Sequence, residues 1–201
     1  MMTIRYSPFS IRKVNGKIIF LLFLILLLSP SCRQQRLTTM MNDFSMTEIK
    51  FPEMRQMVMG EDSVSIDLDT VPVLLVVYRD PDSCVPCQLD HMYDYRNIID
   101  FGKEVGGEFS PVFIFSPKKI NVDTVYITLC RTRFRHPIFL DEKGLFYAEN
   151  KNIPQEPLLH VFLLDKNRKV VLSGDPSHKP QLWDLYKRII VTMLDNGGTM
   201  P

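Results

Sequence analysis

The apolar positions of this chain fall into runs of different length and period, and each predicts a different element. Val71-Pro72-Val73-Leu74-Leu75-Val76-Val77-Tyr78 and Pro111-Val112-Phe113-Ile114-Phe115 are short, nearly continuous and rich in β-branched or aromatic residues. That is the pattern of strands buried on both faces, and the first should be central in a sheet. Between them, Leu89, Met92, Tyr93, Tyr95, Ile98 and Ile99 recur at helical spacing, predicting a helix over Cys84 to Phe101. Strand and helix therefore begin to alternate.

Asn121 to Cys130 is ambiguous, because Asn121 suits a helix cap while Val122, Thr124, Val125, Ile127 and Thr128 are β-branched; a helix is the reading adopted. Pro137 to Leu140 predicts a short strand, Glu142 to Glu149 a turn or two of helix, and Asn152 to Glu156 a loop. Leu158 to Leu164 and Lys169 to Leu172 flank the turn-forming Asp165-Lys166-Asn167-Arg168 and predict a hairpin. Leu182, Leu185, Ile189, Ile190 and Met193 outline a closing amphipathic helix that stops before Asn196-Gly197-Gly198.

The amino-terminal pattern is of another kind. Ile18 to Leu28 is an unbroken apolar run of eleven, preceded by Arg5, Arg12, Lys13 and Lys17 with no acidic residue. A membrane-spanning helix needs roughly 20 apolar residues, so this run reads as the core of a signal peptide over residues 1–31. Leu28-Ser29-Pro30-Ser31-Cys32 resembles the bacterial lipobox, which implies lipidation of Cys32 and a domain anchored to a membrane of the bacterial cell envelope, outside the cytoplasm. Without the four signal-peptide cations, 20 basic residues face 23 acidic ones, a net charge of −3 that gives no footing for nucleic acid. Arg33 to Ser45 is polar, so 32–46 reads as a tether, 47–196 as one domain and 197–201 as a tail.

Cys84-Val85-Pro86-Cys87 falls between a buried strand and a helix. A helix start there would lower the pKa of Cys84 and make it the attacking thiolate, with Cys87 spaced to resolve a mixed disulfide; such exchange needs no cofactor. The same residues also suit a structural disulfide, or a soft-metal site completed by His91, four residues after Cys87. Met40, Met41, Met46, Met54, Met57 and Met59 put six of eleven methionines within twenty residues, suiting either Cu(I) or flexible core filling. Cys130 is expected to be a buried, inert thiol, and His160 a satisfied core or edge histidine. Arg131, Arg133 and Arg135 read as a solvated strand face.

The order strand, CxxC, helix, strand, helix, hairpin, helix, with the Val-Pro interior of the cysteine pair and Phe162-Leu163-Leu164-Asp165-Lys166, resembles the thioredoxin-like superfamily, and within it the exported TlpA/ResA-type thiol-disulfide oxidoreductases. The resemblance covers roughly Ile49 to Leu194. It implies an α/β fold with a central mixed sheet flanked by helices, the cysteines at the sheet's carboxyl edge, protein thiols and disulfides as partners, and a substrate groove near Pro157 and Leu159. In this chain Ser83 stands where the family has tryptophan, Tyr78 where thioredoxins have a buried acid, and Leu159 where the family has a proline.

Overall fold

Val73 to Arg79 has side chains fit to be buried on either face of a pleat, and in the computed structural model it is the strand on which the sheet is built. The structure describes residues 32–62, 66–81, 85–118 and 122–201; residues 1–31, on which the signal-peptide reading rests, lie outside them. The chain forms two units, Met1–Thr39 and Met40–Pro201. In the first, the hydroxyls of Thr38 and Thr39 donate to the carbonyls of Gln34 and Gln35 one helical turn back, at 3.0 and 3.1 Å.

In chain order the elements are α1 (Cys32–Phe44), β1 (Arg55–Val58), β2 (Glu61–Asp62), β3 (Val73–Arg79), α2 (Val85–Asp90), a 3-10 turn (His91–Tyr95), α3 (Arg96–Glu104), β4 (Phe109–Phe115), α4 (Val122–Thr132), β5 (Ile138–Leu140), α5 (Leu145–Glu149), a second 3-10 turn (Pro157–Leu159), β6 (Val161–Leu164), β7 (Val170–Ser173) and α6 (Pro180–Asp195). The seven strands form one mixed sheet ordered β2-β1-β5-β4-β3-β6-β7. β3, β4 and β5 run parallel, while β6 is antiparallel to β3, β7 to β6 and β1 to β5. The ends of β3, β4, β5 and β7 and the start of β6 therefore share one edge.

Alternation along the strands divides the core. Val73, Leu75, Val77, Phe113 and Phe115 face a layer containing Leu89, Ile98, Val125, Leu129, Tyr186 and Ile190. Leu74, Val76, Tyr78, Val112, Ile114, Phe139 and Phe162 face Phe44, Ile49 and Phe146 on the other side. The sheet is thus buried on both faces, as continuous apolar strands require. Gly102 lets α3 approach β4, because a Cβ there would sit 2.7 Å from the Phe109 carbonyl oxygen.

Several expectations are corrected. The span 32–46 is helical over Cys32–Phe44, and Phe44, only 1% exposed, packs edge-on against Phe162. Met46 and Thr47 then bond to both backbone groups of Val170, so ordered packing begins before residue 47. The helix expected over Cys84 to Phe101 is interrupted by the 3-10 turn at His91–Tyr95. Leu89, Met92, Tyr95 and Ile98 are buried at intervals of three, and three residues per turn keep such positions on one face. Arg131, Arg133 and Arg135 lie on no strand: α4 ends at Thr132, and Arg133 takes a left-handed φ of 52°. Cys130 is an exposed free thiol. Val125, Thr128 and Leu129 point α4 inward, which turns Tyr126, Ile127 and Cys130 outward. Its Sγ passes close to Gly60, where a Cβ would overlap it.

His136 carries a pH dependence of stability. Its Nε2 donates to the Pro111 carbonyl at 2.8 Å, and burial lowers the pKa to about 4 from 6.5. A depressed histidine pKa means that the unfolded chain binds the proton more tightly. The contribution is therefore full above pH 6.5 and lost as pH falls towards 4, reaching about 3 kcal/mol. Urea unfolding of wild type between pH 7 and 4.5 should show this slope, and His136→Gln should flatten it.

Candidate functional site

Because four strand ends and one strand start meet at one edge, the polar residues placed there come from distant parts of the sequence. Beyond β3 stand Asp80 and Pro81; beyond β4, Ser116; beyond β5, Asp141; before β6, His160; beyond β7, Gly174 and Asp175. Of the CxxC segment, Val85, Pro86 and Cys87 open α2. Cys87 lies in the first turn of α2, is exposed and is disulfide-bonded. Asp82, Ser83 and Cys84 lie outside the described residues.

Three polar clusters occupy this edge. Arg79 Nη2 donates to the Tyr95 hydroxyl at 3.1 Å, Tyr95 donates to Asp175 Oδ2 at 2.7 Å, and Arg79 Nη2 lies 3.8 Å from the same carboxylate oxygen. Burial raises the Tyr95 phenol above its ordinary range, Arg79 opposes that, and Asp175 adds to it. The proton therefore stays on Tyr95. The second cluster is structural: Asp141 accepts from the backbone N–H groups of Leu145 and Phe146 at 2.9 and 3.0 Å and from the Ser116 hydroxyl at 2.9 Å. It fastens the start of α5 beneath the sheet edge.

The third cluster is His160 with Asp80. His160 Nε2 donates to the Pro154 carbonyl at 2.8 Å, while Nδ1 lies 3.3 Å from Asp80 Oδ2. The ring packs 5.3 Å from that of Tyr78. Burial lowers the His160 pKa most, with Arg79 acting the same way and the Pro154 carbonyl, Asp80 and Glu156 opposing. The Tyr78 phenol is pushed up to about 12, chiefly by burial. Tyr78, Asp80, Pro81, Tyr147, Gln155 and His160 line a cavity of about 490 Å³. His160 is thus held by its hydrogen bond at Nε2, with Nδ1 turned towards the Asp80 carboxylate.

The residues proposed for a groove sit beside this cluster. Pro157–Leu159 forms the 3-10 turn leading into His160, and no peptide bond among the described residues is cis. Leu159 is buried, so the exposed apolar side chain of the turn is Leu158. The metal reading gains nothing. His91 is largely exposed and its Nδ1 meets Asp94 Oδ2 at 3.2 Å, the oxygen that His178 Nε2 approaches to 3.1 Å. No group of three or more His, Cys, Asp or Glu side chains among the described residues is arranged to hold a metal ion. The methionines diverge too, with Met57 in the core, Met54 against the opposite face and Met41, Met46 and Met59 exposed.

Arg79, Asp80, Tyr95 and Asp175 were not singled out by the sequence reading. Asp80-Pro81 and Asp175-Pro176 register only as turn chemistry, and nothing in their spacing announces their partners.

A parallel core bordered by an antiparallel hairpin, with helices on both faces, defines a thioredoxin-like fold. Among solved structures, the chain is similar to that of Enterococcus faecalis AhpC at 11% identity, over 79% of this chain and 98% of that one, with a TM-score of 0.51. Similarity extends to a putative protein disulfide isomerase from Bacteroides thetaiotaomicron, at 14% identity over 75% and 90% of the two chains (TM-score 0.47), and to a putative thiol:disulfide interchange protein DsbE from Chlorobium tepidum, at 19% identity over 60% and 81% (TM-score 0.44). No protein-family model and no curated protein matches the sequence.

Proposed function

We propose that this chain is a membrane-anchored thiol-disulfide oxidoreductase of the bacterial cell envelope, resembling the TlpA/ResA type. Cys84 thiolate attacks a disulfide in a protein substrate, and Cys87 resolves the mixed disulfide. The observation that carries the reading is Cys87, disulfide-bonded in the first turn of α2, the helix that follows the central strand β3 of a thioredoxin-like sheet, with Cys84 three residues before it in sequence. The chemistry is complete with two thiols and needs no cofactor. Anchoring is supported by the basic segment, the apolar run of eleven and Leu28 to Cys32.

The test uses the full chain. Wild type should fractionate with membranes, and Cys32→Ser should release it. The detergent-extracted protein should equilibrate with glutathione or dithiothreitol at a potential above about −300 mV, as exchange-competent pairs do, and should reduce insulin disulfides. A pair more reducing than that, without turnover, would make this a structural disulfide on a non-catalytic scaffold.

A further inference from the structure

We propose that a basic cavity at the opposite edge of the sheet binds an organic phosphate, a phosphate ester on an apolar body. Residues 133–137 join α4 to β5, and because β5 runs parallel to β3 and β4, its start lies at the edge away from their ends. There this segment and α3 border a cavity of about 430 Å³. Four cations, Arg96, Lys103, Arg133 and Arg135, line it with a single carboxylate, Asp100. Lys103 already holds that carboxylate at 2.6 Å. Among the described residues no carboxylate pairs with Arg96, Arg133 or Arg135, although Arg131 reaches Asp90 at 3.6 Å. His136 adds no charge, because burial keeps the ring neutral and its Nε2 donates to the Pro111 carbonyl at 2.8 Å.

The whole chain carries a net charge of only +1, so this concentration of cations is local. Guanidinium forks match phosphate oxygens two at a time, and a dianion relieves the repulsion among several of them better than a monoanion does. Part of the arrangement is fixed in advance. Arg96 Cζ sits 5.3 Å from the centroid of the Tyr93 ring, and the Tyr93 hydroxyl donates to the Thr132 carbonyl. Arg133 takes its φ of 52° where glycine would be relaxed, so the turn keeps a cation against its backbone preference. The wall between the charges is apolar: Phe134, 5% exposed, meets Tyr93 edge-on at 6.1 Å, and Ile99 lines the same cavity. An inorganic ion leaves that wall uncovered, whereas an ester lays its organic body against it.

A phosphate ester can be a soluble small molecule or the headgroup of a phospholipid, and the recognising chemistry is the same. The experiment titrates the detergent-extracted full chain calorimetrically with phenyl phosphate, inorganic phosphate and phenol at about 0.15 M ionic strength, where exposed charges are screened beyond about 8 Å. The proposal expects one saturable phenyl phosphate site per chain, about 10-fold tighter than for inorganic phosphate, and no phenol binding over the same range. Arg135→Gln should weaken phenyl phosphate about 10-fold, as loss of a charge-assisted hydrogen bond does. Arg133→Gly should weaken it as much with thermal unfolding close to wild type, because glycine takes the left-handed φ without strain. Lys151→Gln, on the other face of the sheet where Lys151 covers the Tyr147 ring, should bind as wild type does.

Phosphatidylglycerol added to the micelles should displace phenyl phosphate where the natural ligand is a headgroup and leave it bound where that ligand is a soluble ester; either result keeps the site. Disulfide exchange is read at no step, so the outcome is independent of the oxidoreductase reading. Equal affinity for phenyl phosphate and inorganic phosphate would reduce the cavity to a charged surface and overturn the proposal. Binding left unchanged by both Arg133→Gly and Arg135→Gln, or no saturable binding up to about 10 mM, overturns it as well.

Discussion

Cys87→Ser should arrest exchange at a covalent intermediate. Under the proposed mechanism Cys84 remains able to attack, so the first bond exchange proceeds and substrate becomes joined to the protein. Serine cannot displace it, because a hydroxyl near neutral pH is too poor a nucleophile towards a disulfide. Multiple turnover should fall by roughly 10³-fold or more, while a species of protein plus substrate accumulates on non-reducing gels and disappears with dithiothreitol. Cys84→Ser should lose turnover as fully but accumulate nothing. A Cys84→Ser variant that trapped substrate would reverse the two assignments, and full turnover by either variant would end the exchange reading. The same trap, applied in membranes, would capture the physiological partner for mass spectrometry.

The second large effect concerns stability. Phe113→Ala should cost about 3–5 kcal/mol in urea unfolding, the range for truncating a fully buried aromatic. Phe113 lies in the middle of β4 with no exposed surface, and Tyr95, Phe134 and His136 stand around it edge-on at 5.3, 5.6 and 5.4 Å. The loss would reach the edge clusters, because Tyr95 also links Arg79 to Asp175. A cost below about 1 kcal/mol would mean that the surrounding rings collapse into the space. Phe113→Leu, which keeps most of the volume, should cost much less.

What the sequence makes legible here depends on whether a signal is local. β3 and β4 are readable because continuous apolar strands announce burial on both faces. α4 follows, its β-branched residues notwithstanding, because Val125, Thr128 and Leu129 give it an inward stripe. β1 and β2 carry no such signal. Arg55-Gln56-Met57-Val58 and Glu61-Asp62 are strands because β5 offers Ile138 to Leu140 as a template, and Arg55 then pairs with Asp62 across the turn at 2.5 Å. The helix after Cys32 is polar enough to read as spacer, and only the packing of Phe44 reveals where ordered structure begins. At the site the cysteine pair is visible as four letters, since its spacing is the signal. The His160–Asp80 contact is invisible, because antiparallel pairing of β3 with β6 brings together residues eighty apart in sequence. The Arg79–Tyr95–Asp175 cluster is hidden for the same reason.

The segment after Phe44 runs along the outer side of β7, where Met46 and Thr47 bond to Val170 and Glu48 bridges Lys169. Lys50 is then clasped through both its backbone groups by the Asn150 amide, across 100 residues of chain. This closure joins segments 100 or more residues apart in sequence. Contacts of such separation are slow to form, since the intervening loop must be ordered before they repay it. A nascent chain cannot complete this domain until residue 170 has emerged, and until then the outer edge of the sheet has no cover. Translation order therefore leaves the joining of residues 46–48 to Lys169 and Val170 to a late stage of synthesis.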